Sequence, residues 1–144
     1  MKTTILRSSL AALACTAVLA VATPSTAANV NLKADLKSAS EVPPVDSKGA
    51  GSVTATYDTA TKKLSWKGSV SGLSGPATAA HFHAGEAGKN GAVVVPIAGA
   101  EKGSFEGSAT LTDEQATDLM AGKWYVNVHT TANKGGEVRG QVTK

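Results

Sequence analysis

Cysteine is almost absent from the 144-residue sequence, since Cys15 is the single one and it falls inside an apolar N-terminal run. The rest of the chain has no thiol, which excludes a disulfide, thiolate catalysis, iron-sulfur clusters, cysteine-ligated blue copper and cysteine zinc fingers. Aromatic residues make up only 4%. Trp66, Trp124 and Phe105 therefore read as core positions of an alternating pattern before they read as ligand platforms. Charge is scarce too, at 17%, with 14 Lys plus Arg against 11 Asp plus Glu. Without Lys2 and Arg7, which belong to the leader described next, the surplus is one basic residue. No basic run with interleaved aromatics marks a phosphate-binding stripe, so nucleic acid is not expected as a partner. Missing as well are a Gly-x-Ser-x-Gly elbow, a phosphate-binding glycine loop and a dinucleotide fingerprint; Gly85, Gly88 and Gly91 lack the strand-to-helix context those motifs need. The acids are spread singly, with nothing to set two carboxylates at a working separation.

Long apolar runs are limited to one. Lys2 and Arg7 precede Leu10 to Ala22, and Thr23-Pro24-Ser25-Thr26-Ala27-Ala28 supplies the small-residue end a signal peptidase accepts. Residues 1–28 read as a secretory signal and 29–144 as the exported domain. The run is shorter than the ~20 apolar residues of a membrane span, so no stable membrane insertion is expected after processing. A lipoprotein reading of Cys15 would end the apolar region at Ala12-Leu13-Ala14 and leave Val18 to Val21 unexplained.

From Val30 onward the chain alternates apolar and polar residues, rich in Val, Thr and Ala, and broken about every eight to twelve residues by Gly, Pro or Asp clusters. Val30, Leu32, Ala34 and Leu36 make a first strand. Glu41-Val42-Pro43-Pro44-Val45 follows as an extended loop, since two prolines remove ladder donors. Val53, Ala55 and Tyr57, the polar turn Asp58 to Lys62, and Leu64, Trp66, Gly68 and Val70 predict a hairpin. Further strands fit near 77–83, 92–97, 103–110, 124–129 and 136–142. One short helix is predicted over 113–121, with Thr112 as N-cap, Gln115 completing a capping box, Asp113 and Glu114 at the positive end of the dipole and Gly122 at the stop. The expected fold is all-β: a Greek-key sandwich or barrel of about eight antiparallel strands with one short crossover helix.

Histidine occurs three times. In His81-Phe82-His83 a period of two points both imidazoles to one face, a ready two-point chelate. His129 ends Trp124-Tyr125-Val126-Asn127-Val128-His129, where Trp124, Val126 and Val128 face the core and Tyr125, Asn127 and His129 face away. Both stretches run into glycine-rich turns, Gly85 to Gly88 and Gly135-Gly136, where loops carry sites on a rigid scaffold. If the two strands adjoin, three neutral imidazoles converge as metal ligands that suit copper or zinc and leave a position open. The bland alternative is a surface pair or a hydrogen-bonded structural cluster. Glu41, in its stiffened loop, is a candidate to complete a metal shell or orient a histidine, against an exposed loop acid. Glu86 and Glu137 are weaker candidates for a polar role there. Met120 sits at an apolar helix position and reads as core rather than a copper ligand.

Glu41-Val42-Pro43-Pro44, Ala80-His81-Phe82-His83-Ala84-Gly85, and Trp124 to Thr130 followed by Gly136-Glu137-Val138-Arg139-Gly140-Gln141 together resemble the CHRD domain, over about residues 30–143. The resemblance implies a β-rich secreted or periplasmic domain whose biochemical role is poorly defined. The loop before Gly136 often carries proline in that family, whereas Ala132-Asn133-Lys134 stands here. A looser similarity is to the copper-zinc superoxide dismutases, in which a His-x-His and a later strand-end histidine hold copper. His81, His83 and His129 match that layout, but no histidine remains for a bridging or zinc position. Arg139 could steer an anion to such a metal, or be a solvent-facing residue of the row Glu137, Arg139, Gln141.

These readings favour a secreted CHRD-like protein that binds a transition ion, copper first and zinc second, through His81, His83 and His129, with Glu41 and Arg139 as accessory residues. No catalytic residue is assigned, and a binding role is preferred to an enzymatic one. The alternatives are a copper-only redox enzyme of the superoxide dismutase kind, and a metal-free extracellular module whose loops bind protein or polysaccharide.

Overall fold

A computed structural model of the protein describes residues 28–144; the leader read over 1–28, apart from Ala28, and Cys15 lie outside the described residues. Eight strands follow in order: β1 Asn29–Lys37, β2 Ala50–Asp58, β3 Lys63–Ser71, β4 Ala77–Ala84, β5 Ala92–Ile97, β6 Ser104–Thr110, β7 Trp124–Thr130 and β8 Val138–Gln141. One helix, α1 (Asp113–Met120), links β6 to β7. All ladders are antiparallel, in the spatial order β5-β4-β7-β8-β1-β2-β3-β6. The edge strands β5 and β6 are consecutive in sequence and touch, so the sheet curls into a nearly closed barrel. Around that barrel β4, β5 and β6 neighbour one another, with β3 beside β6 and β7 beside β4. This is the Greek-key pattern.

Alternation explains most of the strands. In β1 the even residues Leu32, Ala34 and Leu36 are buried and their neighbours exposed, and β2 and β3 pair residue for residue from Asp58↔Lys63 to Ala50↔Ser71, as the predicted hairpin requires. Inside, Leu36, Leu64, Phe82, Trp124, Val126 and Val138 are all 1% exposed or less. Each such side chain contributes about 1.5–3 kcal/mol by leaving water. Phe82 packs edge-on against Trp66, with ring centroids 5.1 Å apart. Trp66, Trp124 and Phe105 are thus core residues. Met120 packs half-buried against the same core. The helix begins with the capping box: Gln115 N–H donates to Thr112 Oγ1 (3.2 Å) and Thr112 N–H to Gln115 Oε1 (3.0 Å). The last strand is shorter than the expected 136–142. Gly136 has φ +130° and its N–H closes a turn onto Asn133 O, so the ladder starts only at Val138.

β7 departs from alternation. Every residue from Trp124 to Val128 is buried, because the outer face of β4, β7 and β8 is covered by loop chain: Glu41 and its neighbours from the β1–β2 connection, residues 85–91 between β4 and β5, and the turn 131–137. The roofed face carries all three histidines. Among the described residues no helix is long and apolar enough to cross a membrane.

Candidate metal centre

β4 and β7 are ladder neighbours, with His83 opposite Tyr125, His81 opposite Asn127 and Ala79 opposite His129. Ala80, Phe82, Val126 and Val128 point inward, so His81, His83, Tyr125, Asn127 and His129 share the outer face. His129 is the diagonal neighbour of His81, within side-chain reach. The ring centroids are 5.1 Å apart for His81 and His129, 5.5 Å for His81 and His83, and 6.4 Å for His83 and His129. One ring nitrogen from each lies within 4.8 Å of the other two. The adjacency that sequence spacing left open is present.

Hydrogen bonds select the free nitrogens. A carbonyl oxygen only accepts, so His83 Nδ1 carries its proton and donates to Gly91 O (2.9 Å), and His129 Nδ1 donates to Lys134 O (2.9 Å). In the neutral form each of these rings presents a bare Nε2. His83 is 8% exposed, and its Nε2 has no hydrogen-bond partner in the protein. His81 Nδ1 lies 3.2 Å from His129 Nε2. Between neutral rings that contact needs the His81 proton, and a cation at the same place would replace it. Burial, followed by the neighbouring imidazoles, pushes the His81 pKa down. Burial likewise lowers His129 against the raising effect of Lys134 O. Both shifts favour the neutral, ligating form. Two rings anchored through Nδ1 by backbone carbonyls match the outer-shell arrangement of histidine metal sites.

Glu41 stands outside the group of mutually close ligand atoms. It is not an exposed loop acid, however, being 5% exposed. Burial pushes its pKa up to about 7, against the lowering influence of Arg139, the Val42 backbone and Asn127. Its Oε1 and the Oδ1 of Asn127 are both buried without a hydrogen-bond partner in the protein. The two side chains meet under Gly136, where an added Cβ would strike Glu41 Oε1 and come within 2.7 Å of Asn127 Nδ2. A side chain at 136 would close that space.

In the row Glu137, Arg139, Gln141 the first two do not face solvent as the strand pattern allowed, and Gln141 is half-buried. Arg139 is 2% exposed and donates to Asn90 Oδ1 (3.0 Å), Lys89 O (2.7 Å) and Glu86 O (3.3 Å). The covering loop supplies those acceptors, and a strand period cannot foresee a loop. Glu137 is fully buried and accepts from Ser47, Ser74, Thr130 and Asn133; it is no part of the histidine group. Glu86 is paired with Lys89 on the surface (2.8 Å). Sequence reasoning did not single out Tyr125, Asn90, or the carbonyls of Gly91 and Lys134. The only signals were the shared face of Tyr125 with His129 and the glycine-rich turns after each histidine stretch. A depression of about 430 Å³ bordered by Thr78, His81 and Pro96 opens beside the cluster. The groove of about 620 Å³ over Asn31, Thr54, Trp66 and Glu106 lies elsewhere and includes no histidine.

The fold and the site together define a small Greek-key barrel that carries a histidine cluster on its roofed outer face. The chain belongs to the CHRD domain family, whose model matches residues 32–142. No match was found among curated proteins or among solved structures.

Proposed function

We propose that this is an exported CHRD domain, residues 29–144 after removal of a 1–28 signal, that binds one transition-metal ion through His81, His83 and His129. The observation that carries the reading is the buried, unpartnered Nε2 of His83 within a trio of ring nitrogens mutually within 4.8 Å. A buried polar atom left unpaired costs about 1–3 kcal/mol, and a cation in this position would satisfy it. Three imidazoles without a thiolate favour Cu(II), with Zn(II) second, by the general affinity order. Glu41 and Arg139 contribute from outside the ligand set. The role is metal binding or handling outside the cytoplasm.

Copper and zinc binding by the purified protein, measured beside His81→Ala and His129→Ala, tests this. One ion per chain is expected, with affinity falling more than about a hundredfold in either variant. Because burial lowers the pKa of His81 and His129, affinity should hold between pH 8 and 7 and fall only below the ordinary imidazole value of ~6.5. Affinity unchanged down to pH 5 would contradict imidazole ligation. No binding by the parent would leave a metal-free extracellular module.

A further inference from the structure

His83 is held by more than its own strand. The Tyr125 ring is stacked on its imidazole, 4.7 Å between centroids and 9° between planes. β7 lies between β4 and β8, so Tyr125 has His83 on one side and Arg139 on the other, with the guanidinium carbon 3.5 Å from the ring centroid. The same guanidinium grips the loop between β4 and β5 through Glu86 O, Lys89 O and the Asn90 side chain. That loop ends at Gly91, whose carbonyl fixes His83 Nδ1 (2.9 Å) and whose N–H donates to Tyr125 Oη (3.1 Å). Both the stack on His83 and the carbonyl that sets its tautomer are thus tied to one guanidinium.

Arg139 is an expensive way to fill this space. It is 2% exposed, and among the described residues no carboxylate lies within ion-pair distance of it. Packing alone would be served by an apolar side chain without the desolvation cost of a buried charge. The charge of Arg139 acts on Glu41, whose pKa it lowers from outside ion-pair distance, and it would repel a cation at the histidines, so charge does not account for its place against Tyr125. What the planar, multiply donating group adds is orientation: it stacks and hydrogen-bonds at the same time, which a lysine cannot do.

We propose that Arg139 and Tyr125 are positioning residues for the metal, holding His83 with its Nε2 aimed at the ion through the stack and the Gly91 loop. This rests on the metal-binding reading, and it predicts an effect visible without metal. The test compares the parent with Arg139→Met, Arg139→Lys and Tyr125→Leu, and with Val138→Ala as a core-weakened control that leaves the stack untouched. Imidazole NMR of the metal-free proteins reports the His83 tautomer; chelator competition and EPR report Cu(II) affinity and geometry. The parent should show His83 protonated at Nδ1 alone. Both Arg139 variants and Tyr125→Leu should show mixed tautomers, a Cu(II) affinity about tenfold or more weaker and a heterogeneous EPR spectrum, while Val138→Ala changes none of these. A parent that binds no copper but loses its single tautomer in Arg139→Met would sink the metal reading and keep the positioning role. Full copper affinity and an unchanged tautomer in the Arg139 and Tyr125 variants would overturn the positioning role and keep the metal. Equal losses in Val138→Ala would reduce the stack to general stability and also overturn the proposal.

Discussion

Glu137→Gln removes one charge and almost no volume from a carboxylate that pins several connections of the barrel together. Its Oε1 accepts from Ser47 Oγ (2.5 Å) and the Ser74 N–H (2.7 Å), and its Oε2 from Ser74 Oγ, Thr130 Oγ1 (both 2.6 Å) and Asn133 Nδ2 (3.1 Å). These donors come from the β1–β2 and β3–β4 connections, the end of β7 and the turn after it. Burial alone pushes the carboxyl up, but the hydrogen bonds outweigh it and hold the pKa near 2, below the ordinary 4.5. That difference corresponds to ~3 kcal/mol of stability carried by the ionised form. A glutamine cannot replace it. With its NH₂ in the Oε1 position the amide would meet the Ser74 backbone N–H, which cannot turn to accept; in the Oε2 position the hydroxyls and the Asn133 amide must reverse to accept it, and the negative charge that strengthens all five bonds is gone either way. Because the folded pKa is depressed, the contribution is complete above pH 4.5 and disappears as pH falls through 2. Urea unfolding of parent and variant between pH 7 and 2 should therefore show a gap of ~3 kcal/mol at pH 7 that closes toward pH 2. A gap that stays constant over that range, or one below about 1 kcal/mol at pH 7, would refute the account of Glu137 as an ionised anchor.

Glu41 has the opposite sign. Burial raises its folded pKa to about 7, so the parent should lose stability as pH rises from 4.5 through 7, and Glu41→Gln should flatten that limb in unfolding curves measured from pH 5 to 9. Gly136→Ala combines a backbone φ of +130° with a Cβ driven against Glu41 and Asn127. It should cost about 1–3 kcal/mol, read as a lower thermal midpoint, and should lower Cu(II) affinity through the Lys134 carbonyl that holds His129.

The elements of this protein were legible wherever one face of a strand meets the core and the other meets water. Leu32 to Leu36, the β2–β3 hairpin and the Thr112-capped helix follow from alternation and capping, because those signals are local and the period of two assigns faces without knowing the partners. The shared face of His81 with His83, and of Tyr125, Asn127 and His129 together, follows from the same rule. That β4 lies beside β7, and so that the two histidine groups form one cluster, comes from the ladder order, which no single strand's pattern encodes. The roof over that face was equally invisible. A one-dimensional reading leaves Glu41 open between a site acid and an exposed loop acid, and puts Glu137 and Arg139 in a strand row that can face solvent; they become a raised acid, a clamped carboxylate and a stacked guanidinium only when loops distant in sequence close over them. Local chemistry determined which residues point together, and tertiary packing decided which of them lost their water, because desolvation depends on neighbours the strand itself does not contain.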